Sequence, residues 1–87
     1  MSAPLALFDT FLRVVAAGSF SAVARERNTT QPTISRQIAA LEEHLGCLLF
    51  QRSTRHLTLT EEGRIFHAEA ERALEAVAEA EGSVGRR

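Results

Sequence analysis

The chain has 87 residues and a mass of 9.5 kDa, with 45% hydrophobic and 24% charged residues. That is the profile of one globular domain, and it excludes a disordered tail or a two-domain enzyme with an interdomain active site. Ten arginines, no lysine and eleven acids give a net charge of −1, but residues 1–60 carry six Arg against four acids and residues 61–87 four Arg against seven acids. A nucleic-acid binder is usually basic overall. The asymmetry instead implies a mildly basic front and an acidic helical tail. No apolar run approaches the ~18 residues of a membrane span, and the N-terminus lacks the basic start and apolar core of a signal peptide. The single cysteine, Cys47, excludes an internal disulfide and fits a reducing cytoplasm. At this length, stability of only about 4–13 kcal/mol is expected, so self-association that buries more apolar surface is favourable.

Pro4 opens the first helix, expected over 4–17, with Leu5, Phe8, Phe11 or Leu12, and Val15 on one face. Gly18 is its stop signal, since glycine enters the left-handed region without a Cβ clash. Ser19 or Ser21 caps a short second helix over about 20–27 that turns Val23 and Ala24 inward. Asn28 lies where the chain must turn, and Asn tolerates a left-handed backbone well. Thr30 caps a third helix over 31–45, with Pro32 in its first turn, where a missing N–H has no intrahelical partner to lose. Its inward stripe is Ile34, Ile38, Leu41 and Leu45, and Gly46 ends it. The period then changes. Leu48-Leu49-Phe50 and the alternating Leu57-Thr58-Leu59-Thr60 flank an Arg-rich polar turn, which predicts a small β-hairpin. Thr60-Glu61-Glu62 opens the last helix, expected to run to about 81 and to fray at Gly82 and Gly85. Along it Phe66, Ala70, Ala73, Val77, Ala80 and Val84 form a heptad seam, mostly of alanine, that suits the close approach of a partner helix. Its first turn, around Ile65 and Phe66, is expected to pack on its own domain.

Three helices, the last two joined by a tight turn, followed by a hairpin, outline a mainly α winged helix-turn-helix. With Ile34 and Ile38 inward, the opposite face of the third helix shows Gln31, Thr33, Ser35, Arg36 and Gln37. These side chains suit a major groove. Gln pairs with the N6/N7 edge of adenine, Arg donates twice to guanine, and a Thr methyl meets a thymine methyl. Hydroxyls and the N–H groups of a helix N-terminus suit phosphate oxygens.

Several blocks resemble the N-terminal domain of LysR-type transcriptional regulators. They are Gly18-Ser19-Phe20-Ser21, Thr30-Gln31-Pro32-Thr33-Ile34-Ser35-Arg36-Gln37-Ile38, Leu41-Glu42, Leu45-Gly46, Leu49-Phe50-Gln51-Arg52 and Leu59-Thr60-Glu61-Glu62-Gly63. The resemblance covers roughly residues 4–80. It implies a bacterial regulator that binds interrupted inverted repeats in double-stranded DNA, dimerises through the long helix after the wing and commonly forms tetramers. It also implies a larger C-terminal domain for a small-molecule effector, so this chain reads as the excised DNA-reading half. Position by position, Gln31, Pro32, Thr33 and Arg36 would face bases, and Ser35 would contact phosphate with Thr30 and Gln37. Arg52 and Arg55 would belong to the wing (51–56), with Arg55 the better candidate for a narrow minor groove. The dimerisation residues would be Phe66, Ala70, Ala73, Val77 and Ala80. The division is then a DNA-binding domain over 1–60 and a linker and dimerisation helix over 61–87.

Arg27 and Thr29 depart from the family pattern, which has aliphatic residues there that help lock the turn. Arg27 is expected to bury its stem and send its head to water or to an acid such as one on the Glu26 side of the surface, with a slightly looser turn as the result. The alternative function is a helical protein-interaction module whose purpose is tail pairing. No cofactor or metal is expected: His44 and Cys47 are too few for a closed zinc site, and Gly46 breaks the helix between them. Glu42 and Glu43 point in different directions, and Asp9, the sole Asp, has no nucleophile motif nearby, so enzyme chemistry lacks support.

Overall fold

The structure is a computed structural model that describes residues 3–51 and 56–85. Helix α1 (Leu5–Ala17) is followed by α2 (Phe20–Glu26) and α3 (Gln31–Leu45), then by strands β1 (Phe50–Gln51) and β2 (Thr58–Leu59) and helix α4 (Glu61–Gly85). The strands pair antiparallel, Phe50 opposite Leu59 and Gln51 opposite Thr58. This is the mainly helical, winged helix-turn-helix architecture with a long final helix that the sequence implies.

Local chemistry sets most boundaries. Gly18 adopts φ 72° and donates its N–H to the Val14 carbonyl at 2.8 Å. Of the two candidate serines, Ser19 is the cap of α2: its hydroxyl accepts from the Ala22 N–H at 3.1 Å, while Ser21 hydrogen-bonds to Ser19. Asn28 has φ 55° between α2 and α3. That turn is tight despite Arg27 and Thr29, because the Thr29 N–H reaches the Ala24 carbonyl at 2.9 Å and the Arg27 N–H that of Val23 at 3.0 Å. Thr30 caps α3 through the Thr33 N–H, and Gly46 closes it with φ 76°.

Helix α1 lies at the centre, packed against α2, α3 and α4. Its buried face is Thr10, Phe11 and Val14, flanked by half-buried Leu7, Phe8, Leu12 and Val15. Leu5 is 46% exposed and Leu45 37%, so neither belongs to the core their spacing suggested. Both sit at helix ends, beyond the reach of the neighbouring elements that cover the middle. The core otherwise joins Val23, Ala24, Ile34, Ile38, Leu41, Leu49 and Phe50. Phe11 is its hub, with ring centroids 5.4 Å from Phe50 and 5.3 Å from Phe66, separations at which tilted aromatic pairs attract.

Thr60 ties the hairpin to α4. Its N–H donates to the Leu49 carbonyl at 3.0 Å, its hydroxyl donates to the Leu48 carbonyl at 2.7 Å, and the same oxygen caps α4 by accepting the Gly63 N–H at 2.9 Å. Gly63 is obligatory for this approach, since a Cβ there would overlap the Leu49 carbonyl. Helix α4 continues to Gly85 instead of stopping near 81. A single glycine costs a helix only about 1 kcal/mol relative to alanine, too little to halt propagation through an Ala/Glu-rich stretch. Phe66 packs on its own domain as expected. Ile65 does not and is 61% exposed, because adjacent helix positions point about 100° apart.

Candidate nucleic-acid interface

The N-terminal half of α3 is anchored from beneath by Ile34 and Ile38, both at 0% exposure. Pro32 in the first turn and the Thr30 cap fix where the helix starts. Above this base Gln31, Pro32 and Arg36 are exposed, while Thr33, Ser35 and Gln37 are half-buried. The edge is therefore held outward, with no described element lying over it.

Its polar groups are ordered by one another. The Thr30 and Thr33 hydroxyls are 2.9 Å apart, and the Arg36 Nη2 donates to Thr33 Oγ1 at 3.3 Å. Arg36 thus rests along the helix with its charge facing solvent. Gln37 is tied inward: Thr10 Oγ1 donates to its Oε1 at 3.1 Å. Exposed Thr30 stands at the helix start with its hydroxyl on the same surface.

Two latches hold α2, and so the α2–α3 turn, against α1. Arg13 grips Glu26 in a two-point pair at 2.9 and 3.2 Å. That hydrogen bonding holds the Glu26 carboxyl below the usual carboxylate range and raises Arg13 further above neutrality. The second latch gives Arg27 the acid partner that was expected, but a different acid from the one named. Its guanidinium reaches neither water alone nor Glu26, which is already engaged, but Asp9 at 2.7 Å and the buried Thr10 hydroxyl at 2.9 Å. Asp9 and Thr10 carry no motif, and no periodicity singles them out. Only the crossing of α1 and α2 brings them to Arg27.

The other site residues fall in three places. Arg52 and Arg55 lie outside the described residues; beside them, Gln51 and His56 are exposed. On α4, Phe66 stacks edge-on against Phe8 and Phe11 at 5.1 and 5.3 Å, and Ala70 is 1% exposed, so both are covered by their own chain. Ala73 and Val77 are half-buried and Ala80 is exposed, so the rest of the seam does reach the surface. At the far end of α3, Glu42 is buried and accepts the Leu49 N–H at 2.7 Å and the Phe50 N–H at 3.4 Å. Around it Ala39, Glu43, Gly46, half-buried Cys47 and Leu48 line a shallow open depression. Among the described residues no three His, Cys, Asp or Glu side chains converge as metal ligands, and no single helix is long and apolar enough to cross a membrane.

Comparison with known proteins points the same way. Residues 5–64 match the model of the bacterial regulatory helix-turn-helix protein, lysR family. The chain is 43% identical over 77 residues to a probable HTH-type transcriptional regulator, LtrA, of Klebsiella pneumoniae, covering 88% of this chain and 25% of that protein. It is 44% identical over 71 residues to the HTH-type transcriptional regulator CrgA of Neisseria meningitidis, covering 82% of this chain and 24% of that one. The chain thus spans about a quarter of the length of these regulators. Among solved structures it is similar to the BenM DNA-binding domain in complex with benA site 1 DNA, with a TM-score of 0.91 and 34% identity over 97% of this chain and 94% of that one. It is also similar to Vibrio fischeri DarR in complex with DNA, with a TM-score of 0.90 and 28% identity over 98% of this chain and 29% of that one. With its fold, its ordered α3 edge and most of its length matched, the chain belongs to the lysR family of bacterial regulatory helix-turn-helix proteins.

Proposed function

We propose that this chain is the DNA-reading domain of a bacterial transcriptional regulator and binds double-stranded DNA in a sequence-dependent way, with α3 in the major groove. The observation that carries this reading is the exposed Gln31-Pro32-Thr33 edge of α3, with Arg36 one turn on, mounted on the fully buried Ile34 and Ile38. An edge on so rigid a base meets a groove without reordering, which spares the entropy a flexible segment would lose. Gln31, Thr33 and Arg36 address base edges and Pro32 packs against them; Thr30, Ser35 and Gln37 contact phosphates. By the family resemblance, Arg52 and Arg55 are assigned to minor-groove and backbone contact. DNA-complexed relatives of the same fold support the assignment.

Residues 1–60 then form the reading unit and 61–87 the linker and dimerisation helix. The protein works in the cytoplasm as a homodimer that pairs through the Ala73, Val77 and Ala80 stretch of α4, so that two half-sites of an interrupted inverted repeat are read with two-fold symmetry. Phe66 and Ala70 support that helix from beneath. Tetramer formation and effector binding belong to a further domain of the full-length regulator.

A fluorescence titration of labelled duplex tests the reading. Arg36→Ala is expected to cost about 1–3 kcal/mol on the preferred site, roughly a 5- to 150-fold loss. Affinity is also expected to fall as salt rises, in proportion to the phosphates neutralised. A helical interaction module with no DNA contact would show neither effect.

A further inference from the structure

Among the described residues, Gln37 is the one on the α3 edge whose side chain is tied to the body of the domain. Its Oε1 accepts from Thr10 Oγ1 at 3.1 Å. Thr10 is 1% exposed, and its oxygen accepts in turn from Arg27 Nη1 at 2.9 Å. Arg27 Nη2 is held by Asp9 Oδ2 at 2.7 Å. Four side chains, two from α1, one from the C-cap of α2 and one from α3, thus form one continuous chain, Asp9–Arg27–Thr10–Gln37, running from the α1 surface, through the core boundary, to the α3 edge. The Thr10 oxygen also lies 3.1 Å from the Ala6 carbonyl, one turn back on its own helix. A hydroxyl has one hydrogen, so Ala6 and Gln37 compete for it. Arginine only donates, and its proton on the Thr10 oxygen polarises the hydroxyl and strengthens what that hydroxyl donates in turn.

The tether has a chemical consequence. Bidentate recognition of adenine needs both the amide oxygen and the amide NH₂ of a glutamine turned to one base edge. With its oxygen held at Thr10, Gln37 presents only NH₂, a donor that suits a phosphate oxygen. We propose that Arg27, acting through Thr10, is a positioning residue for DNA binding: it holds Gln37 as a backbone-clamping donor and so fixes how α3 sits in the groove. The inference rests on the DNA-reading assignment above and deepens it, since none of Asp9, Thr10 and Arg27 need touch DNA.

A double-mutant cycle on the 87-residue chain tests this. The probes are a duplex enriched by the wild-type chain from a random pool and a scrambled duplex of the same length. Arg27→Leu keeps an apolar stem and removes the guanidinium. Thr10→Val keeps the shape of a buried residue, leaves the Asp9–Arg27 pair in place and removes only the relay hydroxyl. Each is expected to weaken binding about 3- to 10-fold, the worth of one hydrogen bond, on both duplexes alike, because a phosphate contact carries no sequence information. The loss is expected to vanish in a Gln37→Ala background, where nothing remains to be positioned. Thermal melting of each variant separates this coupling from loss of fold, which would lower affinity equally with or without Gln37. Equal losses in both backgrounds, unchanged affinity in Arg27→Leu and Thr10→Val, or a loss confined to the enriched duplex would overturn the proposal. A wild-type chain that enriches no duplex would instead defeat the DNA-reading assignment itself.

Discussion

The carboxylate of Glu42 lies 2.7 Å from the amide nitrogen of Leu49 and 3.4 Å from that of Phe50, while the next residue, Glu43, is exposed. Two adjacent acids with the same letter therefore do different work. Glu42 satisfies backbone donors that the sharp exit from α3 would otherwise leave buried without acceptors. Glu42→Ala is expected to destabilise the domain by about 1–3 kcal/mol, whereas Glu43→Ala should change stability by no more than about 0.5 kcal/mol, both read from urea melts. The sequence placed Glu42 in a family block but did not disclose this role, because the donors come from residues seven and eight positions on and meet the carboxylate only after Gly46 reverses the chain. The same holds for Arg27: its charge was legible, its partners were not. Glu26 adds a pH dependence of known sign. Its carboxyl titrates below the ordinary 4.5 because Arg13 hydrogen-bonds the charged form. The stabilisation is therefore complete above that ordinary value and is lost as pH falls through the lower folded one. Acid titration of the Glu26→Gln variant should show a shallower loss of stability below about pH 4.5 than the wild type.

At the scale of elements, the caps were readable and the packing limits were not. Ser19, Thr30, Gly18 and Gly46 act within one turn of themselves, so their sequence neighbours suffice to predict them. Leu5 and Leu45 sit at spacings that suggest burial, and they are exposed because burial depends on what lies across the gap. The seam of α4 shows both cases. Phe66 is taken up by α1 and Ala70 is buried within its own chain, while Ala73, Val77 and Ala80 keep more surface. If those three residues pair with a second copy, a charge at the central one must be buried without a partner on association. Val77→Glu is expected to convert a dimer to a monomer in light scattering while leaving the helical circular dichroism nearly unchanged. Two-site DNA binding should fall with it, since avidity requires both half-sites to be engaged together.

For the molecule as a whole, the charge pattern and the architecture agree. The front that carries α3 and the wing holds six Arg against four acids, and the helix that leads away from it holds the acidic excess. A net charge of −1 gives little long-range attraction for a polyanion, so contact geometry must supply much of the discrimination. That places the weight of the account on the outward edge of α3 and its buried isoleucine base. Selection from a pool of random duplexes with the 87-residue chain bears on this most directly. Enrichment of a defined half-site, arranged as an inverted repeat, is expected, and it is lost when Gln31 and Arg36 are both replaced by alanine. Recovery of an unenriched pool by the wild-type chain, or the same enriched motif from the doubly substituted chain, would contradict it.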